Sequence, residues 1–291
     1  MQCYNKIVKL KEIKKLLREY KLSPSKRLGQ NFLIDEGVLR KIIEAANLSK
    51  NDVVLEVGPG IGNLTRELAK RVKKVIAVEK DKKMIEILKE ELKDFPNLEI
   101  IKKDILDSKF YILNSKFKVV ANLPYYITSP VIRKFLEAEN QPKEMILMVQ
   151  KEVAQRICPC PPKLKERRRG KTPKMSILAV SVQFYAKPKI ISYVSKKCFW
   201  PQPKVDSAIL RIAPLINADR KLINADLFFK IVKSGFSQPR KQLLNNLSKG
   251  LKLEREEVKN WLLKNGVEPQ QRAETLLIQD WLNLTKSYKI D

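Results

Sequence analysis

Three glycines in the first half of the chain have the spacing of a loop that passes close to a ligand. Gly58, Gly60 and Gly62 follow the apolar run VVLEV and precede a helical pattern. A glycine at a strand-to-helix turn has no Cβ, so its backbone can approach a bound molecule closely. The segment is not the dinucleotide fingerprint G-x-G-x-x-G, because Asn63 occupies the position of the last glycine.

Two carboxylates stand at the ends of the next two predicted strands. Glu79 follows the glycines by about 20 residues, where a carboxylate can accept hydrogen bonds from both ribose hydroxyls of an adenosyl group. Asp104 ends the following strand, in a position to meet the adenine edge. A glycine turn alone can be only a tight connection. Three landmarks at successive strand ends argue against that alternative. The departure from the dinucleotide fingerprint favours a methyltransferase over a dehydrogenase, with S-adenosylmethionine as its cofactor.

The fourth predicted strand ends in the tetrapeptide Asn122, Leu123, Pro124 and Tyr125. This NLPY segment resembles the [D/N/S]-P-P-[Y/F] motif of methyltransferases that modify the exocyclic amines of bases. An Asx turn with a structural proline is the alternative interpretation of the tetrapeptide taken alone.

The chemistry of an adenine N6 amine explains these residue types. The amine is a poor nucleophile because its lone pair is delocalised into the ring, and two acceptors that hold its hydrogens favour the pyramidal geometry that frees the pair. The Asn122 side-chain oxygen and a backbone carbonyl of Leu123 or Pro124 can be those acceptors. Tyr125 can stack on the extruded base. No general base is needed if water takes the proton.

An alternation of strands and helices positions these groups. Short β-branched runs separated by helical patterns predict an α/β fold with a parallel sheet and helices on both of its faces. The predicted strands are 52–57, 74–79, 98–102, 117–121 and 144–149. Beyond Pro214 the pattern becomes helical throughout. We therefore predict a larger α/β domain over 1–214, with a basic insertion over 158–174, and a small all-α domain over 215–291.

The charge and the histidine content restrict the function. The 291 residues carry 59 Lys and Arg against 32 Asp and Glu, a formal net charge of +27. Such an excess indicates a polyanionic partner, and nucleic acid is the obvious one. A source organism whose proteins are all rich in lysine is the alternative. Because the chain has no histidine, Ser-His-Asp hydrolysis, Cys-His proteolysis and His-ligated zinc are excluded.

Four cysteines in a chain of this length do not make a disulfide framework, which indicates a reducing compartment. Cys158 and Cys160 alone make a weak metal site, so we expect no metal. No apolar stretch suggests a membrane helix or a signal peptide, and we expect a cytoplasmic protein that contacts no membrane.

A resemblance to one family covers nearly the whole chain. The segments 26–33 (KRLGQNFL), 54–65 (VLEVGPGIGNLT) and NLPY are similar to the cofactor lid, cofactor loop and catalytic motif of the small-subunit ribosomal RNA adenine-N6,N6-dimethyltransferases. Later segments are similar to further blocks of that family: 199–212 (FWPQPKVDSAILRI), 236–247 (FSQPRKQLLNNL) and 272–276 (RAETL). Erythromycin-resistance methyltransferases are its nearest relatives. The resemblance implies a Rossmann-like S-adenosylmethionine-dependent methyltransferase domain over 1–214, with an N-terminal lid over 1–34, and a small C-terminal all-α domain over 215–291 that docks RNA.

The resemblance also implies roles for individual residues. It implies cofactor contacts at Asn31, Leu33, Gly58, Glu79, Asp104 and Asn122. It implies a catalytic group of Asn122, Leu123, Pro124, Tyr125 and Phe199, in which Phe199 closes the other face of the target base. The expected partner is ribosomal RNA in a precursor of the small ribosomal subunit, and the expected oligomeric state is a monomer.

Two other functions stay open at this point. One is the methylation of large-subunit RNA that confers macrolide resistance, and 236–247 and 272–276 argue against it. The other is a non-catalytic RNA-binding factor for ribosome assembly. A pure binder has no chemical reason to retain Glu79, Asp104, Asn122 and Tyr125 together. The sequence departs from the family at 158–174 and at 173–177 (PKMSI), which leaves the local RNA contacts undetermined.

Overall fold

The structure is a computed structural model, and it describes residues 10–25, 28–107, 116–158, 175–215 and 223–288. The chain forms two compact units. The first comprises Met1–Ala154 and Lys187–Pro214, and the second comprises Gln155–Ala186 and Leu215–Asp291.

Parts of two predicted segments lie outside the described residues. Of the basic insertion 158–174, the structure describes Cys158 alone. Of the predicted lid, residues 1–9 and 26–27 lie outside the described ranges.

The first unit is built on a mixed sheet with helices, so the α/β prediction is confirmed. Its described strands are β1 (Phe32–Leu33), β2 (Val53–Val57), β3 (Lys74–Glu79), β4 (Leu98–Lys102), β5 (Lys118–Asn122), β6 (Met145–Gln150), β7 (Ala186–Val194), β8 (Phe199–Trp200) and β9 (Ser207–Pro214). The larger sheet has the order β4-β3-β2-β5-β6-β9-β7. Neighbours from β4 to β6 are parallel, and β9 is antiparallel to β6. The carboxyl ends of β2, β3 and β5 therefore meet at one edge of the sheet.

The described helices of the whole chain are α1 (Leu10–Glu19), α2 (Glu36–Ala46), α3 (Asn63–Ala69), α4 (Lys82–Glu91), α5 (Thr128–Leu136), α6 (Lys151–Ile157), α7 (Ile177–Tyr185), α8 (Ala225–Gly235), α9 (Leu243–Leu251), α10 (Arg255–Lys264) and α11 (Ile278–Ser287). Helix α2 begins where the sequence predicts, because the Asp35 carboxylate accepts the Val38 N–H at 2.8 Å. The central strands are buried on both faces, as continuous apolar runs in a parallel sheet require.

The predicted lid is anchored in the first unit by apolar contacts. The loop 58–62 between β2 and α3 is called the glycine loop. Ile13, Leu16 and Leu17 of α1 are buried in one cluster with Phe32 of β1 and with residues from the glycine loop and α4. Strand β1 also pairs with β8, which follows β7 in the chain. Both ends of the described lid are therefore held by the body of the unit.

The second unit contains a segment that the sequence predicts to be in the first. The predicted boundary follows residue 214, whereas the compact second unit also includes Gln155–Ala186. Helix α7 is apolar on most of its surface, and it buries Ala179, Val180 and Phe184 in the core of the second unit. Phe184 stacks on Phe228 of α8 with ring centroids 4.2 Å apart. Packing of α7 therefore places it with the C-terminal helices.

A buried cation holds the start of β5, the strand that ends in NLPY. Lys118 Nζ donates to the carbonyl oxygens of Ala46 at 2.9 Å and Asn47 at 2.7 Å. The same Nζ lies 3.3 Å from an Asp52 carboxylate oxygen and 3.5 Å from one of Glu144. All three charged side chains are largely buried, and Glu144 also accepts from Arg211 Nε at 2.8 Å. The Lys118 cation therefore lies between two largely buried carboxylates and neutralises part of their charge.

Replacing Lys118 is expected to destabilise the fold. Lys118→Met removes the nearest cation from Asp52 and the donor to two backbone carbonyls, whereas Glu144 keeps its bond to Arg211. Removal of one partner of a buried pair typically costs about 3–5 kcal/mol. Urea unfolding of the variant measures this loss. Lys143→Met is the control, because Lys143 is 50% exposed and 3.9 Å from Asp52, and its free energy of unfolding should change by about 0.5 kcal/mol or less. Equal stability of both variants would contradict the role of Lys118.

Candidate active site

Most residues that the sequence singled out line one cleft of the first unit. Its walls come from the lid, the glycine loop and the ends of β2, β3 and β5. The lining includes Asn31, Leu33, Gly58, Glu79, Asp104, Asn122, Leu123, Pro124 and Tyr125. Segments far apart in sequence therefore meet where the parallel strands end, which is where open α/β sheets bind ligands.

Glu79 is held at the end of β3 by the backbone of the glycine loop and of the β3–α4 turn. Its Oε1 accepts the N–H groups of Lys80 at 2.8 Å and Asp81 at 2.9 Å, and its Oε2 accepts the Gly60 N–H at 3.3 Å. Burial raises the pKa of Glu79, and the three N–H groups oppose that rise. A carboxylate offers about four lone-pair sites, so acceptor capacity remains for a ligand hydroxyl.

The glycine loop contacts both the lid and the NLPY motif. Gly58 has a φ of 68° and Gly60 a φ of 58°, a region that L side chains rarely adopt. A Cβ on Gly58 would lie 3.3 Å from Pro124, and one on Gly60 would lie 3.2 Å from the Phe32 ring. Glycine is therefore required for both the backbone conformation and the close packing.

Asp104 is an ionised acceptor at the rim of the cleft. Its Oδ2 accepts from Lys80 Nζ at 2.7 Å, and its Oδ1 accepts the Leu106 N–H at 2.9 Å. The hydrogen bond from Lys80 and that from the Leu106 backbone lower the pKa of Asp104 below its usual range. The sequence did not indicate the role of Lys80, which depends on how β3 and β4 pair.

Two asparagines, at the end of β5 and at the start of α3, connect the lid to the rest of the first unit. Asn122 Nδ2 donates to the Asn31 carbonyl oxygen at 3.1 Å, and Asn63 Nδ2 donates to the Leu33 carbonyl oxygen at 3.0 Å. The first bond engages the donor end of the Asn122 amide, so its Oδ1 is left as the acceptor. Asn63 escaped the sequence analysis because it was considered only as a departure from the dinucleotide fingerprint.

The rest of the NLPY motif is fixed by backbone and side-chain hydrogen bonds. The Pro124 carbonyl accepts the Ile127 N–H at 3.1 Å, whereas the Leu123 carbonyl accepts no bond from the described residues. This favours Leu123 as the backbone acceptor, a choice that the sequence left open. Tyr125 Oη lies 2.6 Å from the hydroxyl of the fully buried Ser207, and burial raises the pKa of the phenol.

Phe199 is not among the residues that line the cleft. It lies in β8 opposite Leu33 of β1 and is only 3% exposed, in a core cluster. Its role on the second face of the target base stays a prediction, and it requires that the ring be uncovered when RNA binds.

Glu56 is a lining residue to which the sequence analysis assigned no role. It lies in β2 two residues before Gly58, is 1% exposed, and its Oε2 has no hydrogen-bond partner among the described residues. Burial, together with the charge of Glu79, raises the pKa of Glu56 to about 8. The carboxyl is therefore neutral at pH 7. The acid was visible in the sequence, but its burial was not.

Within the described residues, no group of three or more His, Cys, Asp and Glu side chains could hold a metal ion. Cys160 of the predicted weak pair lies outside them. No helix in the described part of the chain is long and apolar enough to cross a bilayer.

The family model for ribosomal RNA adenine dimethylase matches residues 22–289. The chain belongs to this family. It is 45% identical over 280 residues to the ribosomal RNA small subunit methyltransferase A of Dehalococcoides mccartyi, which covers 95% of this chain and 92% of that relative. The protein of the same name from Alkaliphilus oremlandii is 42% identical over 278 residues, 93% of this chain and 94% of that one. The predicted family resemblance is therefore confirmed.

Two solved structures share the fold of this dimethylase. The 23S rRNA methyltransferase ErmE matches with a TM-score of 0.69 and 29% identity, over 88% of this chain and 98% of that one. A dimethyladenosine transferase from Plasmodium falciparum matches with a TM-score of 0.68 and 29% identity, over 87% and 95%. The Rossmann-like methyltransferase fold with a C-terminal helical region is confirmed.

S-adenosylmethionine is the cofactor of the dimethylase family, and the cleft fits it. The backbone of Gly58 and Gly60 lines the cleft, Glu79 and Asp104 offer acceptors for ribose hydroxyls and an adenine amine, and Glu56 presents an unpartnered carboxyl oxygen. These features suit an adenosyl group with a charged amino-acid tail.

Glu79→Ala is expected to weaken S-adenosylmethionine binding at least tenfold. The reason is that charge-assisted hydrogen bonds contribute about 1.5–3 kcal/mol each. Calorimetric titration measures the affinity. Glu86→Ala on the exposed face of α4 is the control and should bind the cofactor as the wild type does. Unchanged affinity in Glu79→Ala would remove this residue from the site.

Glu56→Gln is expected to abolish a loss of stability that the wild type shows as the pH rises from about 5 to about 8. The pKa of Glu56 is about 8 in the folded protein against an ordinary 4.5, so between these values the unfolded chain binds fewer protons than the folded one. The wild type therefore loses stability as pH rises through this window, by about 3 kcal/mol between pH 5.5 and 8.5.

The glutamine of Glu56→Gln cannot ionise. This variant should therefore lack the part of the pH-dependent loss of stability that comes from position 56. Urea unfolding of both proteins at the two pH values gives the difference directly. Glu86→Gln serves as the control and should follow the wild type. An identical pH dependence in Glu56→Gln and the wild type would show that Glu56 is not held neutral.

Proposed function

We propose that this protein transfers methyl groups from S-adenosylmethionine to the N6 amine of adenines in small-subunit ribosomal RNA. The observation that carries the proposal is the Asn122 amide, whose nitrogen is bonded to the lid and whose oxygen is left as an acceptor in the cleft. Relatives 42–45% identical over most of the chain are named ribosomal RNA small subunit methyltransferase A, which supports the substrate.

Glu79, Asp104, the glycine loop and the lid would hold the cofactor, which supplies an electrophilic methyl group when bound. Asn122 Oδ1 and the Leu123 carbonyl accept the two hydrogens of the target amine, which orients its lone pair and favours a pyramidal nitrogen. The Tyr125 ring stacks on the base, and its bond to Ser207 keeps the ring in place. The proton of the methylated amine leaves to water, because none of the side chains that hold the base acts as a general base.

Two methylations of one amine fit this geometry. A monomethylated amine retains one hydrogen, so it uses one of the two acceptors and turns its methyl group away from the other. We therefore propose N6,N6-dimethyladenosine as the product, formed on two adjacent adenosines of a small-subunit precursor during ribosome biogenesis. The enzyme would act as a monomer in the cytoplasm, where that precursor is assembled.

Methylation of large-subunit RNA is the second candidate, because the fold matches the 23S rRNA methyltransferase ErmE as well as it matches the dimethyladenosine transferase. Mass spectrometry of ribosomal RNA from a deletion strain, with and without the restored gene, separates the two. Dimethyladenosine that disappears from the large subunit alone would overturn the proposed substrate.

Asn122→Ala is expected to slow methyl transfer by a hundredfold or more, because loss of one preorganised polar contact to the transition state costs on the order of 2.7–4 kcal/mol. Single-turnover assays on ribosomal RNA measure the chemical step. Parallel titration of S-adenosylmethionine separates this effect from a loosened lid. Asn283→Ala on the exposed face of α11 is the control and should react normally. A near wild-type rate in Asn122→Ala would refute the mechanism.

The hydroxyl of Tyr125 is expected to contribute to stability, and its ring is expected to contribute to RNA binding. Tyr125→Phe keeps the stacking face but leaves the buried Ser207 hydroxyl without its partner, so methyl transfer should stay near normal while stability falls by about 1–2 kcal/mol. Tyr125→Ala should also weaken RNA binding, by roughly tenfold or more. Thermal unfolding and RNA titration measure the two effects. A Phe variant that loses turnover at full stability would assign the hydroxyl to the chemistry.

A further inference from the structure

Strand β7 carries an exposed stripe that the methyl-transfer site does not use. Its alternate residues Lys187, Lys189, Ile191 and Tyr193 lie on one side of the strand and are all exposed. Ile191 is 38% and Tyr193 is 49% exposed, large fractions for such apolar side chains. Strand β7 lies at the edge of the seven-stranded sheet. Neither lysine forms an ion pair within the described residues.

Protection of the sheet edge does not account for this composition. Lysines on an edge strand discourage pairing with another chain, but exposed Ile191 and Tyr193 beside them do the opposite. Cations interleaved with apolar and aromatic side chains instead suit a partner that has both phosphates and flat bases. Unpaired nucleic acid has both, and its bases stack on aromatic rings without strong sequence preference.

The aromatic end of the stripe is adjacent to a further cation. Lys151 Nζ lies 5.4 Å from the centroid of the Tyr193 ring. A stacking surface and a positive charge therefore stand together at the end of β7, the combination that single-strand binders use for a base and its phosphate.

Hydrogen bonds place this end of β7 at the sheet edge that carries the NLPY motif. Asp206 accepts the Lys196 N–H with Oδ1 at 3.1 Å and the Lys151 N–H with its carbonyl oxygen at 3.0 Å. The next residue, Ser207, is the partner of the Tyr125 hydroxyl at 2.6 Å. The stripe thus begins near the ring that stacks on the target base and extends along β7 away from it.

We propose that this stripe, together with Lys151, binds an unpaired segment of ribosomal RNA that flanks the target adenine. Tyr193 stacks on a base of that segment, and the lysines contact its phosphates. The inference rests on the proposed function for the identity of the RNA.

The test compares RNA binding by stripe variants across a range of salt concentrations. The probe is small-subunit ribosomal RNA transcribed in vitro, and fluorescence anisotropy gives the affinity. The double variant Lys187→Gln, Lys189→Gln should reduce the slope of log affinity against log salt by about 0.7 for each lost phosphate contact. Tyr193→Ala should bind roughly tenfold more weakly, whereas Tyr193→Phe should bind within about twofold of the wild type.

The matched control is Lys89→Gln, Lys102→Gln, which removes two exposed lysines of α4 and of the opposite edge strand β4. It should leave the salt slope unchanged. S-adenosylmethionine affinity should be the same in every variant, which shows that the cleft is intact.

Three outcomes would overturn the proposal: an unchanged salt slope in the Lys187, Lys189 variant, wild-type binding by Tyr193→Ala, or an equal loss in the control. Self-association that is lost in Tyr193→Ala while RNA affinity stays constant would assign β7 to a second copy of the chain. Methyl transfer by the wild type is measured in the same samples. Its absence would refute the proposed function, and stripe-dependent RNA binding would still stand.

Discussion

The hydrogen bond from Asn122 Nδ2 to the Asn31 carbonyl is the contact on which the active-site geometry depends. A primary amide has a donor end and an acceptor end, and the lid backbone takes the donor. The orientation of the Asn122 side-chain oxygen therefore depends on a contact that forms only when the lid is in place. Asn63 holds the next part of the lid in the same way, through the Leu33 carbonyl. Both interactions use lid backbone, so they constrain the path of the lid more than its side chains.

The sequence predicted the parts of the site that follow from chain order. Glu79 and Asn122 end β3 and β5, and Asp104 follows the end of β4 by two residues. Parallel strands bring their carboxyl ends to one edge, so the meeting of these residues follows from the alternation alone. The partners of these groups do not follow from it. Lys80 reaches Asp104, and Ser207 reaches Tyr125, only through the way strands and turns pack, and no local pattern encodes that packing. The compact unit that contains α7 differs from the predicted domain for the same reason, because an apolar helix can pack against either core.

The cleft sets its carboxyl groups in different charge states within a strongly basic chain. Asp104 is near a lysine and at the rim, so it stays ionised, whereas Glu56 is enclosed by apolar strands and stays neutral. Glu79 lies between these extremes, since backbone N–H groups oppose the effect of its burial. The net charge of +27 therefore indicates nothing about the electrostatics inside the site. Local burial and hydrogen bonding determine those, and only the outer surface reflects the composition.

The packing of the glycine loop has a consequence for how this family evolves. A side chain at Gly58 would meet Pro124, and one at Gly60 would meet Phe32, so a single loop limits the shapes of the lid and of the NLPY segment. Substitutions in these three blocks are therefore not independent. Because their positive φ also fixes Gly58 and Gly60 as glycine, we expect homologues to place no bulkier side chain than phenylalanine at position 32 and no bulkier one than proline at position 124. A block exchanged alone between distant relatives would carry a steric mismatch, even where every residue that touches the ligand is identical.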